Sequence, residues 1–193
     1  MLTLELLEQN IAECRAAVEA GTEKSEVLQF FLNLHKDLAN ASESDWQAYN
    51  EIAENLPNEG ADNVLVVLKG QLLIERLVHK FIHSRLPNPK AFKSQSFRFS
   101  QCIQIAEAMC LPNEEPAWLW QQVKELNTIR GQLAHELQPK NIDTRIHNFV
   151  TTIANTCNLS SHTPTSAVAH LYGMVKGLCD LSTDDPDFKA FKI

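Results

Sequence analysis

Residues Ala61 to Leu86 read ADNVLVVLKGQLLIERLVHKFIHSRL. Apolar side chains at 64–68, 72–74, 77, 78, 81 and 82 recur at steps of three and four, the period of an α-helix. They run almost all round the helix, so it is expected to be buried, or shared between a core and a partner. Pro87-Asn88-Pro89 stops it. Working outward, the same period recurs on both sides. Before it come Leu4, Leu7, Ile11, Cys14 and Val18 with Gly21 as C-terminal cap. Val27, Phe30, Phe31, Leu34 and Leu38 follow, then Trp46, Tyr49, Ile52, Ala53 and Leu56 behind an N-cap at Ser42 or Ser44.

After the proline pair, Phe99, Cys102, Ile103, Ala106, Met109 and Cys110 form a helix ended by Pro112. Asn113 or Glu114 opens the next, with Pro116 in its first turn and Leu119, Val123, Leu126, Leu133 and Leu137 on its apolar stripe; Pro139 ends it. Ile142, Ile146, Phe149, Val150, Ile153 and Cys157 mark another. Val168, Leu171, Tyr172, Val175 and Leu178 mark the last, capped by Thr165. No segment alternates as a strand does. The fold class is therefore all-α, a bundle of about eight helices.

Charge divides the chain where the pattern breaks at Leu56-Pro-Asn-Glu-Gly60. Residues 1–60 carry 12 acids and 3 bases, net −9, and residues 61–193 carry 12 acids and 14 bases, net +2. The expected organisation is an acidic helical segment over 1–56, a bundle over 61–181 and a polar tail over 182–193. In that tail Phe188, Phe191 and Ile193 could dock on the body or on a neighbour. The whole-chain charge of −7 argues against a surface coated for nucleic acid. Yet no Asp or Glu lies between Arg76 and Ala106, which makes Lys80, Arg85, Lys90, Lys93 and Arg98 the candidate polyanion-facing residues.

No apolar run reaches the roughly 18 residues of a membrane span. Two glutamates stand at the N-terminus where a signal peptide would carry Lys or Arg. A cytoplasmic protein is expected, with no membrane partner. Five cysteines without a C-x-x-C fit reduced, buried thiols. Phosphate-loop, dinucleotide, zinc-protease and nucleophile-elbow motifs are absent. His79 and His83 stand at i, i+4 with only Glu75 near that face, too few ligands for a metal. No cofactor is expected.

One constellation remains, Leu126-Asn-Thr-Ile-Arg-Gly-Gln-Leu-Ala-His-Glu-Leu-Gln-Pro139. With about 100° per residue and Asn127 at the origin, Arg130 falls near −60° on the apolar stripe, and His135 near +80°. Gly131 and Ala134 lie between them, which predicts a shallow notch walled by a guanidinium and an imidazole. Arg76 and His83 match a similar spacing but enclose no small residues. Histidine titrates near neutrality and can move a proton at a 2′-hydroxyl or a leaving oxygen. Arginine stays charged and can hold two phosphate oxygens. Two other readings stand beside this: a buried ion pair of Arg130 with Glu75, with Gly131 and Ala134 allowing close helix approach, or binding of another ligand.

The segment resembles the R-x4-6-H region of HEPN-domain proteins, helical bundles that often act as metal-independent ribonucleases. With the preceding helices it is also similar to the mannitol-operon-repressor family. The resemblance covers roughly residues 61–178. It implies an HEPN-like core with extra N-terminal helices, Arg130 and His135 as catalytic residues, and a composite site formed across a homodimer. Asn127, Gly131 and Glu75 would support the site. It further implies RNA as the partner, in a toxin–antitoxin, defence or stress setting. Competent HEPN members usually carry a polar residue directly after the arginine, where this chain has Gly131. The alternative implied function is a non-catalytic dimeric regulator of transcription acting through a protein partner.

Overall fold

The computed structural model describes residues 4–22, 41–58, 60–110 and 118–180, with isolated positions between 23 and 40. The helix expected over Val27 to Leu38, the helix start at Asn113 or Glu114 with Pro116, and the tail from Ser182 lie outside the described residues. Regular structure among the described residues is entirely helical. The chain divides into two compact units, Met1–Glu54 and Asn55–Ile193.

In the first unit, α1 (Leu4–Glu19) buries Leu7 and Cys14. It ends as its sequence requires. Gly21 takes φ 71°, its N–H bonds Val18 O at 3.0 Å, and Thr22 N–H bonds Ala17 O at 2.9 Å. These are the paired bonds of a left-handed glycine cap. For α2 (Glu43–Asn55) the cap is Ser42. Its Oγ accepts from Asp45 N–H, while Asp45 Oδ2 accepts from Ser42 N–H at 2.8 Å, a reciprocal capping box.

The second unit is built around α3 (Asn63–Arg85), which starts where Asp62 accepts from Val64 N–H at 2.7 Å. It packs against α4 (Phe99–Met109), α5 (Trp118–His135) and α7 (Pro164–Asp180); α6 (Ile142–Cys157) packs against α5 and α7. Val66, Val67, Leu73, Ile74, Leu77, Val78, Phe81 and Ile82 of α3 enter the core. The helix is not buried all round: Val64, Leu65 and Leu72 are exposed, Leu72 by 58%. Phe81 meets Trp120 of α5 edge-on at 6.0 Å. Val168, Leu171, Tyr172, Val175 and Leu178 of α7 are all buried.

Polar ties hold the helices in register around this core. Arg145 of α6 grips Glu125 of α5 with two guanidinium nitrogens, and that carboxylate raises the arginine's pKa further. Lys124 of α5 donates to Glu107 of α4 at 2.5 Å. The N-terminus of α7 differs from expectation. Thr163, not Thr165, is the cap, because Pro164 takes the first helical position and Thr163 Oγ1 accepts from Ser166 N–H at 3.2 Å. Thr165 instead donates to Pro57 O.

All five cysteines are free thiols; Cys14 and Cys102 are buried and the other three half-buried. Among the described residues no His, Cys, Asp or Glu cluster could hold a metal, and no helix is long and apolar enough to cross a membrane.

Candidate functional site

α5 decides the site. Leu119, Trp120, Val123, Leu126 and Ile129 are buried, so its core stripe runs through Ile129 and leaves Arg130 beside the core rather than in it. Leu133 is half-buried and Leu137 is fully exposed, which corrects their placement on the stripe. The helix ends at His135, not at Pro139. A proline ring collides with the carbonyl four residues earlier, here that of His135, so helical geometry cannot continue past it.

The stripe Asn127, Gly131, His135, flanked by Arg130, faces an open cavity of about 420 Å³ between α3, the start of α4, and α5. Gln71 and Glu75 of α3 line it from one side, and Arg98, Phe99 and Ser100 from another. Every residue expected at the catalytic or supporting positions, namely Arg130, His135, Asn127, Gly131 and Glu75, therefore borders one space. His135 stands exposed at its rim and Arg130 is half-buried. An alanine Cβ placed on Gly131 would meet nothing within 4 Å among the described residues, so this glycine serves no close helix approach among them.

No ion pair joins Arg130 to Glu75 among the described residues. Glu75 instead accepts from Gln71 Nε2 at 2.8 Å. The buried-pair reading of Arg130 is thereby set aside: its guanidinium borders the cavity. Behind Glu75 lies the buried Cys102, whose thiol pKa is raised by burial and by the Glu75 carboxylate. Gln71 is 2% exposed and its Oε1 has no hydrogen-bond partner among the described residues.

Gln71, Phe99 and Ser100 escaped the sequence reading. The available signals were Gln71 as a lone amide inside an apolar run, one turn before Glu75, and Phe99 and Ser100 as the first turn of a helix. That turn matters chemically, since the first N–H groups of a helix lack internal partners and favour anions. Among the described residues, two guanidiniums, a helix N-terminus and an imidazole thus share one cleft with a single carboxylate.

The basic stretch does not form one surface. Arg98 lines the cavity, and Lys90 and Lys93 are exposed on the connection before α4. Arg85 is corrected: it is 9% exposed, with its guanidinium over the Phe81 ring at 4.4 Å. Lys80 is exposed but lies with Arg85 and Lys176 near Cys179 of α7. Burial pushes that thiol up to about 11, against the pull of these three cations. His79 and His83 each pack edge-on against an aromatic ring, Phe99 at 6.3 Å and Phe92 at 5.4 Å.

No family model, curated protein or solved structure matches this chain.

Proposed function

We propose that the second unit is an HEPN-like RNA-binding bundle and a metal-independent endoribonuclease of the toxin, defence or stress type, acting in the cytoplasm as a homodimer. One observation carries the reading: Arg130 and His135 border the same open cleft as Arg98 and the first turn of α4. Arg130 and Arg98 hold the phosphate and stabilise charge as the 2′-oxygen attacks phosphorus and the 5′-oxygen leaves. His135 takes the 2′-hydroxyl proton. The leaving oxygen needs a second proton donor, supplied by His135 of the second copy. The rim position of His135 and the neighbouring exposed Leu137 suit apposition of two clefts.

The test is cleavage of total RNA in EDTA by the purified chain. His135→Ala should lower the rate about 10²–10⁴-fold, the usual worth of a proton-transfer group, with an unchanged melting curve. A wild-type protein that leaves RNA intact ends the nuclease reading. The regulator reading, which Gly131 directly after Arg130 favours, then stands, with an antitoxin-like or transcriptional protein partner.

A further inference from the structure

The connection from α3 to α4 reads Lys90-Ala-Phe92-Lys93-Ser-Gln-Ser-Phe97-Arg98-Phe99, with aromatic and basic residues interleaved. Two short 3₁₀ turns, Pro89–Ala91 and Ser94–Ser96, fold it back so that Phe92 and Phe97 stack. Their centroids are 5.1 Å apart and their planes 16° from parallel. His83 of α3 supports Phe92 edge-on from below. Phe92 covers one face of Phe97, yet Phe97 remains 41% exposed. Whatever part of an aromatic residue stays in water adds no burial to the fold.

Three further facts select what covers it. Lys90, Lys93 and Arg98 are exposed on the same short connection as the pair, Arg98 directly after Phe97. No carboxylate lies between Glu75 and Glu107 in the sequence, so no acid on this stretch opposes them. Phe97 is followed directly by Arg98, Phe99 and Ser100, three residues of the cleft wall. A stacked, part-exposed aromatic on a basic segment fits a nucleobase with its phosphates.

We propose that Phe97, backed by Phe92, is a base-stacking platform for single-stranded RNA, and that Lys90, Lys93 and Arg98 lead the strand's phosphates into the Arg130–His135 cleft. The inference rests on the RNA reading above and deepens it. It assigns the recognition of an unpaired base to a loop outside the R-x4-H helix. Stacking tolerates any base, so the platform selects for unpaired strands rather than for sequence.

The experiment is fluorescence anisotropy of the full chain with a 12-mer of 2′-O-methyl uridine, which cannot be cleaved, and with a 12-mer carrying abasic units. Phe97→Leu, which keeps an apolar side chain for folding, should weaken the uridine oligomer about 5- to 100-fold, the worth of one stacked base. Phe97→Trp should hold or tighten it. The abasic oligomer should bind weakly and alike to all three proteins. Lys93→Ala should reduce the salt dependence by about one phosphate contact. Equal binding of the uridine oligomer by wild type and Phe97→Leu overturns the platform, as does failure of the wild type to bind it. Loss of self-association in Phe97→Leu with unchanged oligomer binding also overturns it and makes the patch a protein contact. Binding that depends on Phe97 in a protein that never cleaves RNA upholds the platform while ending the nuclease reading. Cleavage that depends on His135 but not on Phe97 does the reverse.

Discussion

Two helix-interior glycines, Gly70 and Gly131, mark the two sides of the α3 packing and exist for opposite reasons. At the α3–α7 seam, a Cβ on Gly70 would stand 2.3 Å from Val168 Cγ1, an impossible distance without movement. At the α3–α4–α5 cleft, a Cβ on Gly131 would meet no atom within 4 Å among the described residues. A glycine inside a helix costs about 1 kcal/mol against alanine. At the seam that cost allows two helices to close on each other, with Val168, Leu171 and Tyr172 fully or almost fully buried. At the cleft nothing in the fold returns it, and the neighbours are Asn127, Arg130, Glu75 and Arg98 rather than a core. One side of the bundle is closed by packing and the other is left open among polar groups, which is how a binding cleft differs from a packing defect.

The sharpest way to break this contrast is alanine at both glycines. Gly70→Ala should destabilise by about 1–3 kcal/mol, the usual cost of overpacking, reduced by the helix-propensity gain. Val168 cannot easily turn away, since a β-branched residue in a helix keeps one dominant rotamer. Gly70→Ala/Val168→Ala should remove the clash at the cost of a cavity. Gly131→Ala should instead stabilise by up to about 1 kcal/mol, because propensity is the only quantity that changes. Urea titrations of the variants read both signs. A shared sign would erase the distinction between seam and cleft.

A smaller effect is expected at Arg130. It borders solvent and pairs with no carboxylate among the described residues. Arg130→Met should therefore change stability by less than about 1 kcal/mol, as for other positions outside a core. A loss of about 3–5 kcal/mol, recovered in Arg130→Met/Glu75→Gln, would reveal a buried pair and make the cleft a structural joint.

The helical order was legible because each core face repeats at three and four residues. All five apolar positions named for α7 are buried, and the cap at Gly21 forms as its place in the chain predicts. The five-residue set around Arg130 and His135 was legible as one helix face plus a facing carboxylate. What was not legible came from neighbours in space. Ile129 takes the stripe position that periodicity alone assigned to Arg130, because α5 buries the face toward Trp120 and Leu126. Arg85 looks like a surface cation in sequence, but Phe81 one turn earlier draws its guanidinium inward. Gln71 and Ser100 reach the cleft only once α3 and α4 pack; a lone amide in an apolar run and a place in a helix's first turn do not by themselves say which space they face.

The smallest effect is a pH dependence that separates the two sides once more. Burial lowers the pKa of His79 on α3 and of His170 on α7. At His79 the Glu75 carboxylate opposes burial, while His83 adds to it. A histidine whose folded pKa lies below its unfolded value, about 6.5, binds fewer protons in the native state. Its contribution to stability is then complete above the unfolded value and is lost as pH falls through the folded one. The urea midpoint should accordingly drop between about pH 7 and pH 5. NMR titration of the imidazole Cε1–H signals should place both histidines below 6.5. Glu75→Gln removes the one opposing charge at the cleft, so His79 should titrate lower still while His170, on α7, keeps its midpoint. A His79 midpoint that ignores Glu75→Gln would mean that the carboxylate does not act toward that ring, and the electrostatic half of the contrast would fail while the steric half at Gly70 and Gly131 stood.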